Sequence, residues 1–268
     1  MPDTLIEVPP QLPSRLEQMS SMTLLEHLEE LRKRIIWSIV GVAIAFFGCF
    51  FYADRIFAYV QRPIIDALHA NNMEQTLVYT NPIEPFNLYV KIGLVAGIFL
   101  ASPFVLYQIW MFIAPGLYRR EQRYVLPFMF STVGLFLSGG FFGYKIVYPR
   151  ALEFLIRYGN QFKPMITVSE YTNLFMTIIL GLGAVFELPV LIFFLALMGI
   201  VSAGWLWRNI RYSILVIFII AAIVTPTPDV VNMCIFAAPM VALYVLSIGV
   251  AWLVHPSRRK AQASKASA

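Results

Sequence analysis

One acid stands alone inside a long apolar run: Glu187, in Phe186-Glu187-Leu188-Pro189-Val190. A charged carboxylate at mid-bilayer depth costs at least about 2.5–3.5 kcal/mol, so such a residue must be protonated, hydrated or paired. Pro189 adds polarity at the same depth, because it leaves the carbonyl of residue 185 without its helical donor. Two readings are open: a structural carboxyl bonded to a neighbouring helix, or a polar point in a water-accessible groove. One acid does not make a proton relay. Other acids lie among basic residues. Glu29 and Glu30 precede Lys33 and Arg34 by four positions, the favourable direction for helical ion pairs. Glu121 sits within Arg119-Arg120-Glu121-Gln122-Arg123. A solvated charged face accounts for these spacings as well as a site does. If the turn bearing Glu121 folds towards the helix bearing Glu30, however, two carboxylates share one water boundary. Together they would grip paired guanidinium groups, whose planar fork matches a carboxylate better than an ammonium does.

Other chemistries find no support. Cys49 and Cys234, the two cysteines, each lie in an apolar run and read as small core residues. His27, His69 and His255 are far apart and outside the apolar runs, so no metal site or cofactor is expected. An intramembrane enzyme needs a nucleophile with its base, two carboxylates or metal ligands near the spans, and these are lacking. Gly139-Gly140 and Gly181-Leu182-Gly183 read as close-packing positions between helices rather than phosphate loops.

These residues must be positioned by helices in lipid. Of 268 residues, 59% are hydrophobic and 13% charged, and the mean hydropathy is +0.72. A soluble domain carries about 25% charged residues; here the apolar residues gather in runs long enough to span hydrocarbon, about 20 residues each. The expected fold is an all-α integral membrane protein. Residues 1–22 read as a disordered tail, 23–254 as a six-span domain and 255–268 as a basic, disordered tail. Thr23 and Glu26 have capping-box spacing, and the amphipathic stretch that follows should lie along the interface before turning into the first span. The six spans are expected at about 35–52, 86–113, 124–148, 171–200, 214–224 and 233–254. A short helix is expected within the first loop, about 56–68, and a loop over 149–170. The fifth apolar stretch is only eleven residues, Ile214–Val224, about half of a ~30 Å hydrocarbon core. No cleaved signal peptide is expected at the start.

The net charge of +5 reads as loop asymmetry, not as nucleic-acid binding. Thirteen Lys and Arg residues fall on the terminal segments and even-numbered turns, and five on the opposite loops. That bias puts both termini in the cytoplasm and supports an even number of spans.

Four ordered segments between residues 22 and 254 carry a family resemblance. His27-Leu28-Glu29-Glu30-Leu31-Arg32-Lys33-Arg34 resembles the HLxELRxR segment of TatC, the large subunit of the twin-arginine protein translocase. Leu106 to Tyr118, followed by Arg119-Arg120-Glu121, resembles the family's second-span exit and first cytoplasmic turn. Phe186 to Val190 resembles its fourth-span segment, and Thr225-Pro226-Thr227-Pro228-Asp229 with Ala238-Pro239-Met240 its fifth-to-sixth span region. The resemblance implies a cup-shaped, six-helix protein of a bacterial inner membrane that binds twin-arginine signal peptides of folded cargo. Glu30 and Glu121 match the peptide-binding glutamates. Arg32, Phe112, Pro115, Leu117 and Tyr118 match positions around that site, Pro63 and Asp229 match other functional positions, and Glu187 matches the acid of the concave face. The implied partners are the single-span subunits TatA and TatB, docked at the fifth and sixth helices, and further copies of the same chain. The proton-motive force drives transport, and no cofactor is implied. The chain departs from the family where Tyr244 is followed by Val245 in place of an acid, and at Met233.

Two other functions are weighed beside this one. A secondary transporter would use Glu187 as a coupling acid, but internal repeats and further buried ionisable groups are missing. A polytopic scaffold would show no preference for arginine pairs.

Overall fold

A computed structural model describes the backbone of residues 24–71, 73–74, 76–113, 125–159, 161–162, 165–197, 199–224 and 230–266. Helix α1 spans Leu24–Phe50. With no Gly or Pro before Gly41, nothing breaks the amphipathic stretch from the apolar one. The expected turn between them does not form; one rod of 27 residues reaches about 40 Å. Beyond it, α2 (Ala53–Val60) and α3 (Arg62–Ala70) replace the single expected helix and meet at Gln61. Pro63 occupies the first turn of α3, where a missing N–H costs little.

The second span is α4, Glu84–Ile113. Pro103 lies inside it without ending it. The proline deprives the Phe99 carbonyl of its helical donor, and the Ser102 hydroxyl donates to that carbonyl instead, at 2.8 Å. The third span is α5, Val125–Phe142, followed by a π-helical turn, Gly143–Val147, and α6, Tyr148–Tyr158. The expected loop at 149–158 is therefore helical. The wide turn lets the Tyr148 N–H reach the Gly143 carbonyl, and Pro149 then falls in the first turn of α6. Tyr148, Ala151, Leu152 and Ile156 bury one stripe of that helix, while Arg150, Glu153 and Arg157 stay exposed.

The fourth span divides into α7, Val168–Val185, and α8, Leu188–Leu197, interrupted at Phe186-Glu187. The Thr167 hydroxyl caps α7 by accepting from the Glu170 N–H. After α8, the N–H of Gly199 donates to the Ala196 carbonyl and that of Ile200 to the Leu195 carbonyl. This paired closure needs a left-handed residue, supplied by Gly199 at φ 76°. Then come α9 (Ala203–Arg208), α10 (Ile210–Val224) and α11 (Val230–Ala266). The helical backbone of α11 runs on through residues 255–266, where composition alone suggests a disordered tail. The Ala, Lys and Arg residues there are good helix formers.

Among the described residues, six apolar segments thus fit the six expected spans: α1, α4, α5 with α6, α7 with α8, α10 and α11. Five are long enough to span a bilayer, and the sixth, α10, is shorter. They pack as a row, α1 on α4, α4 on α5 and α7, α5 on α7, α8 on α11, and α11 on α10. Close approach depends on small residues, as lipid offers no hydrophobic force between helices. A Cβ on Gly97 would lie 2.8 Å from backbone atoms of Phe46, and one on Gly139 would lie 2.6 Å from the Leu182 carbonyl. One end of the row is capped. There Tyr144 donates to the Tyr59 carbonyl (2.6 Å) and buried Tyr171 to the Val60 carbonyl (2.5 Å), and Val78 pairs with Thr167 in an isolated parallel bridge.

Candidate functional site

At the uncapped end, the first turns of α1 lie beside the last turn of α4. Glu30 is half-buried on α1. Its Oε1 accepts from Arg34 Nη2 at 3.2 Å, four residues on. Arg34 Nη1 donates to Gln108 Oε1 of α4 at 2.9 Å, and Gln108 is itself buried. A polar relay of acid, base and amide therefore fastens α1 to α4. It does not use all its capacity, since Glu30 Oε2 and Arg34 Nε are buried and without hydrogen-bond partners among the described residues. An open cavity of about 320 Å³, lined by Glu26, Glu29, Glu30, Lys33 and Arg34, lies against this relay. Arg32 is exposed, two residues from Glu30 and so on another face of the helix.

Phe112 stacks on His27 of α1, ring centroids 4.3 Å apart. The contact brings the end of α4 against the turn of α1 that precedes Glu30. Behind it, Trp110 donates to the Thr132 hydroxyl of α5 at 3.1 Å and packs edge-on against Phe194 of α8. Phe128 joins both Phe193 and Phe194. This aromatic cluster fixes the end of α4 relative to the start of α5. Those two ends flank residues 114–124. Pro115, Leu117, Tyr118 and Glu121 belong to that segment and lie outside the described residues, as does Asp229.

Glu187 occupies the break between α7 and α8. Its carbonyl accepts from the N–H groups of Val190 and Leu191 and so starts α8. Its Oε1 is buried and has no hydrogen-bond partner among the described residues. Pro63 is not part of the Glu30 neighbourhood; it lines a cavity at the capped end. Val245 is exposed and Met233 half-buried on α11.

Of the residues that bind the Glu30 turn into the fold, Arg34 and Phe112 are marked by the sequence reading, while Gln108 and the stacking of His27 are not. Gln108 carried a signal, being a polar residue within an apolar span. The stacking of His27 on Phe112 carried none, because nothing in a pair of rings 85 positions apart marks them as neighbours.

Residues 26–239 match the sequence model of the family described as "Sec-independent protein translocase protein (TatC)". The chain belongs to the TatC family. It is 65% identical to the TatC protein of Koribacter versatilis over 97% of this chain and 96% of that one. Against the TatC protein of Helicobacter pylori strain J99 the identity is 43%, over 86% of this chain and 89% of the relative. A crystal structure described as that of the twin-arginine translocase receptor TatC superposes with a TM-score of 0.76 at 33% identity, covering 86% of this chain and all of that one. The resemblance read from four motifs is thus borne out, and the six-span, cup-like arrangement expected from it is consistent with this match. The chain is a multi-pass membrane protein of a translocase family.

Proposed function

We propose that this chain is the receptor subunit of a twin-arginine translocase, with Glu30 and Glu121 holding the arginine pair of an incoming signal peptide. The observation that carries this reading is the half-satisfied Glu30 carboxylate. One oxygen is held by Arg34, and the other, though buried, has no partner among the described residues; the residue itself lines an open cavity on α1. A carboxylate already matched to one guanidinium, with an acceptor to spare, suits a second. The name of the crystallised relative, twin-arginine translocase receptor, and the match of Glu121 to the family turn support the same reading. Arg32, Phe112, Pro115, Leu117 and Tyr118 shape the approach to the pair. Pro63 and Asp229 serve elsewhere in the protein, and Glu187 gives the apolar part of the peptide a polar point in the groove.

The remaining parts of the proposal follow from family membership and from charge. Thirteen basic residues against five put both termini in the cytoplasm of a bacterial inner membrane. The single-span subunits TatA and TatB dock on α10 and α11, the assembled complex contains further copies of this chain, and the proton-motive force drives export of folded cargo.

The test is a binding assay with the chain in detergent or nanodiscs, comparing signal peptides bearing Arg-Arg and Lys-Lys. The Arg-Arg peptide should bind at least tenfold more tightly. Glu30→Ala and Glu121→Ala should each abolish that preference while the protein still inserts. Equal binding of both peptides, or unchanged export in both single mutants, rejects the assignment.

A further inference from the structure

At the capped end, away from Glu30, two cavities meet. The larger, about 720 Å³, is lined by Tyr59, Arg62, Asp66, Tyr144, Lys145 and Arg157, among others. The smaller, about 240 Å³, is apolar and includes Ile92, Val95, Ala96, Phe99, Phe141 and Tyr144. They are stacked along the same elements. Val60 and Phe141 line the apolar one, while Tyr59, one residue before Val60, and Lys145, four after Phe141, line the charged one. Tyr144 lines both, its phenol held by the bond to the Tyr59 carbonyl. The apolar groove opens towards lipid, because Leu137 and Phe141 in its wall are exposed.

The charged cavity holds three cations, Arg62, Lys145 and Arg157, against two acids, Asp66 and Glu153, and so keeps one positive charge in excess for an anion. Arg157 is paired with Glu153. Arg62 and Lys145 lie over the rings of Tyr59 and Tyr144, and neither forms an ion pair among the described residues. A guanidinium and an ammonium facing one cavity make a site for a phosphate, which takes charge-assisted hydrogen bonds from both. A phosphate next to an apolar slot at a membrane boundary is the chemistry of one molecule.

We propose that this double cavity is a binding site for a glycerophospholipid, with its phosphate between Arg62 and Lys145 and an acyl chain in the groove walled by Phe99 and Phe141. The bound lipid belongs to the leaflet opposite Glu30. By bridging α2, α3 and the π-helical turn it ties the cap to the third span. This inference does not rest on the receptor reading.

Native mass spectrometry of the full chain in detergent tests it, with dioleoyl phosphatidylglycerol, a dioleoyl galactolipid lacking phosphate, and inorganic phosphate as probes. One phosphatidylglycerol should be retained about tenfold more strongly than the galactolipid, the size of a charge-assisted contact. Arg62→Gln with Lys145→Gln should remove that preference. Ala96→Phe, which fills the groove and leaves every charge in place, should lower retention of both lipids. Arg55→Gln with Arg150→Gln removes two cations of the same end that do not line the cavity, and should change nothing. Equal loss in the two charge-pair variants, equal retention of the galactolipid, unaltered binding in Ala96→Phe, or displacement of the lipid by inorganic phosphate would each overturn the proposal.

Discussion

The Arg34 guanidinium joins two helices through partners of different kinds, a carboxylate on its own helix and an amide on α4. Gln108 is therefore a positioning residue for Glu30, since Arg34 would otherwise be anchored on one side only. Replacing Gln108 by Leu leaves a half-buried guanidinium nitrogen without its acceptor. Lost bonds to charged groups typically cost about 1.5–3 kcal/mol. We expect Gln108→Leu to lower the melting temperature of the purified protein measurably, whereas Gln108→Glu retains an acceptor for Arg34. An unshifted melting temperature in Gln108→Leu shows that the relay contributes nothing. On the receptor reading, the leucine variant also weakens peptide binding, because Arg34 can then turn wholly onto Glu30. A stability change without a binding change leaves Gln108 with a purely structural part.

Helix α4 shows how a local sequence conflict is resolved inside one element. Pro103 removes the donor to the Phe99 carbonyl, and Ser102 returns one from its side chain. Ser102→Ala should therefore destabilise the protein by about 1 kcal/mol. The double variant Ser102→Ala with Pro103→Ala should recover most of the loss, as residue 103 regains its N–H. Thermal unfolding of both variants reads this directly, and a double variant less stable than the single one defeats the argument. The interface on the other face of α4 is governed by size. Gly97 faces the Phe46 backbone at a distance no Cβ tolerates, so Gly97→Val should separate α1 from α4 and cost about 1–3 kcal/mol. These elements also show what the sequence makes legible. Long apolar runs and glycine pairs announce spans and their contacts, because length and side-chain size act locally. The helix over 148–158 lies where a loop is expected, although its stripe of Tyr148, Ala151, Leu152 and Ile156 has helical spacing. Pro149 follows the π-helical turn and falls in the first turn of α6, where its missing N–H costs little. The partnership of Arg34 with Gln108, 74 positions apart, depends on helix packing and has no local signature. The Glu30–Arg34 pair, at i and i+4, has one.

Across the whole molecule the row of spans is uneven in height. Helix α1 has 27 residues and α4 has 30, while α10 has 15, about 22 Å long against ~30 Å of hydrocarbon. Beyond Arg211 and Tyr212 its exposed face, with Leu215, Val216, Ile219, Ile220 and Ile223, is apolar, which suits lipid or, on the receptor reading, the single span of a partner subunit. At one end Arg211 lies over the Tyr212 ring, 5.0 Å from its centroid, which suits a side chain reaching for the interface. A span this short is accommodated by a locally thinned bilayer or by flanking residues that reach water, each at a cost rising with the mismatch. Single cysteines placed at Tyr212, Ile219 and Ile223, in a chain with Cys49 and Cys234 replaced, distinguish the outcomes. With a thinned bilayer, a membrane-impermeant maleimide labels Tyr212→Cys from one side and Ile223→Cys from the other, while Ile219→Cys stays protected. Reconstitution into lipids of longer acyl chain should slow labelling at both ends together, as the thicker hydrocarbon covers them. If Ile223→Cys resists labelling from both sides even in short-chain lipid, α10 is sunk below the surface and the bilayer around it keeps its full thickness.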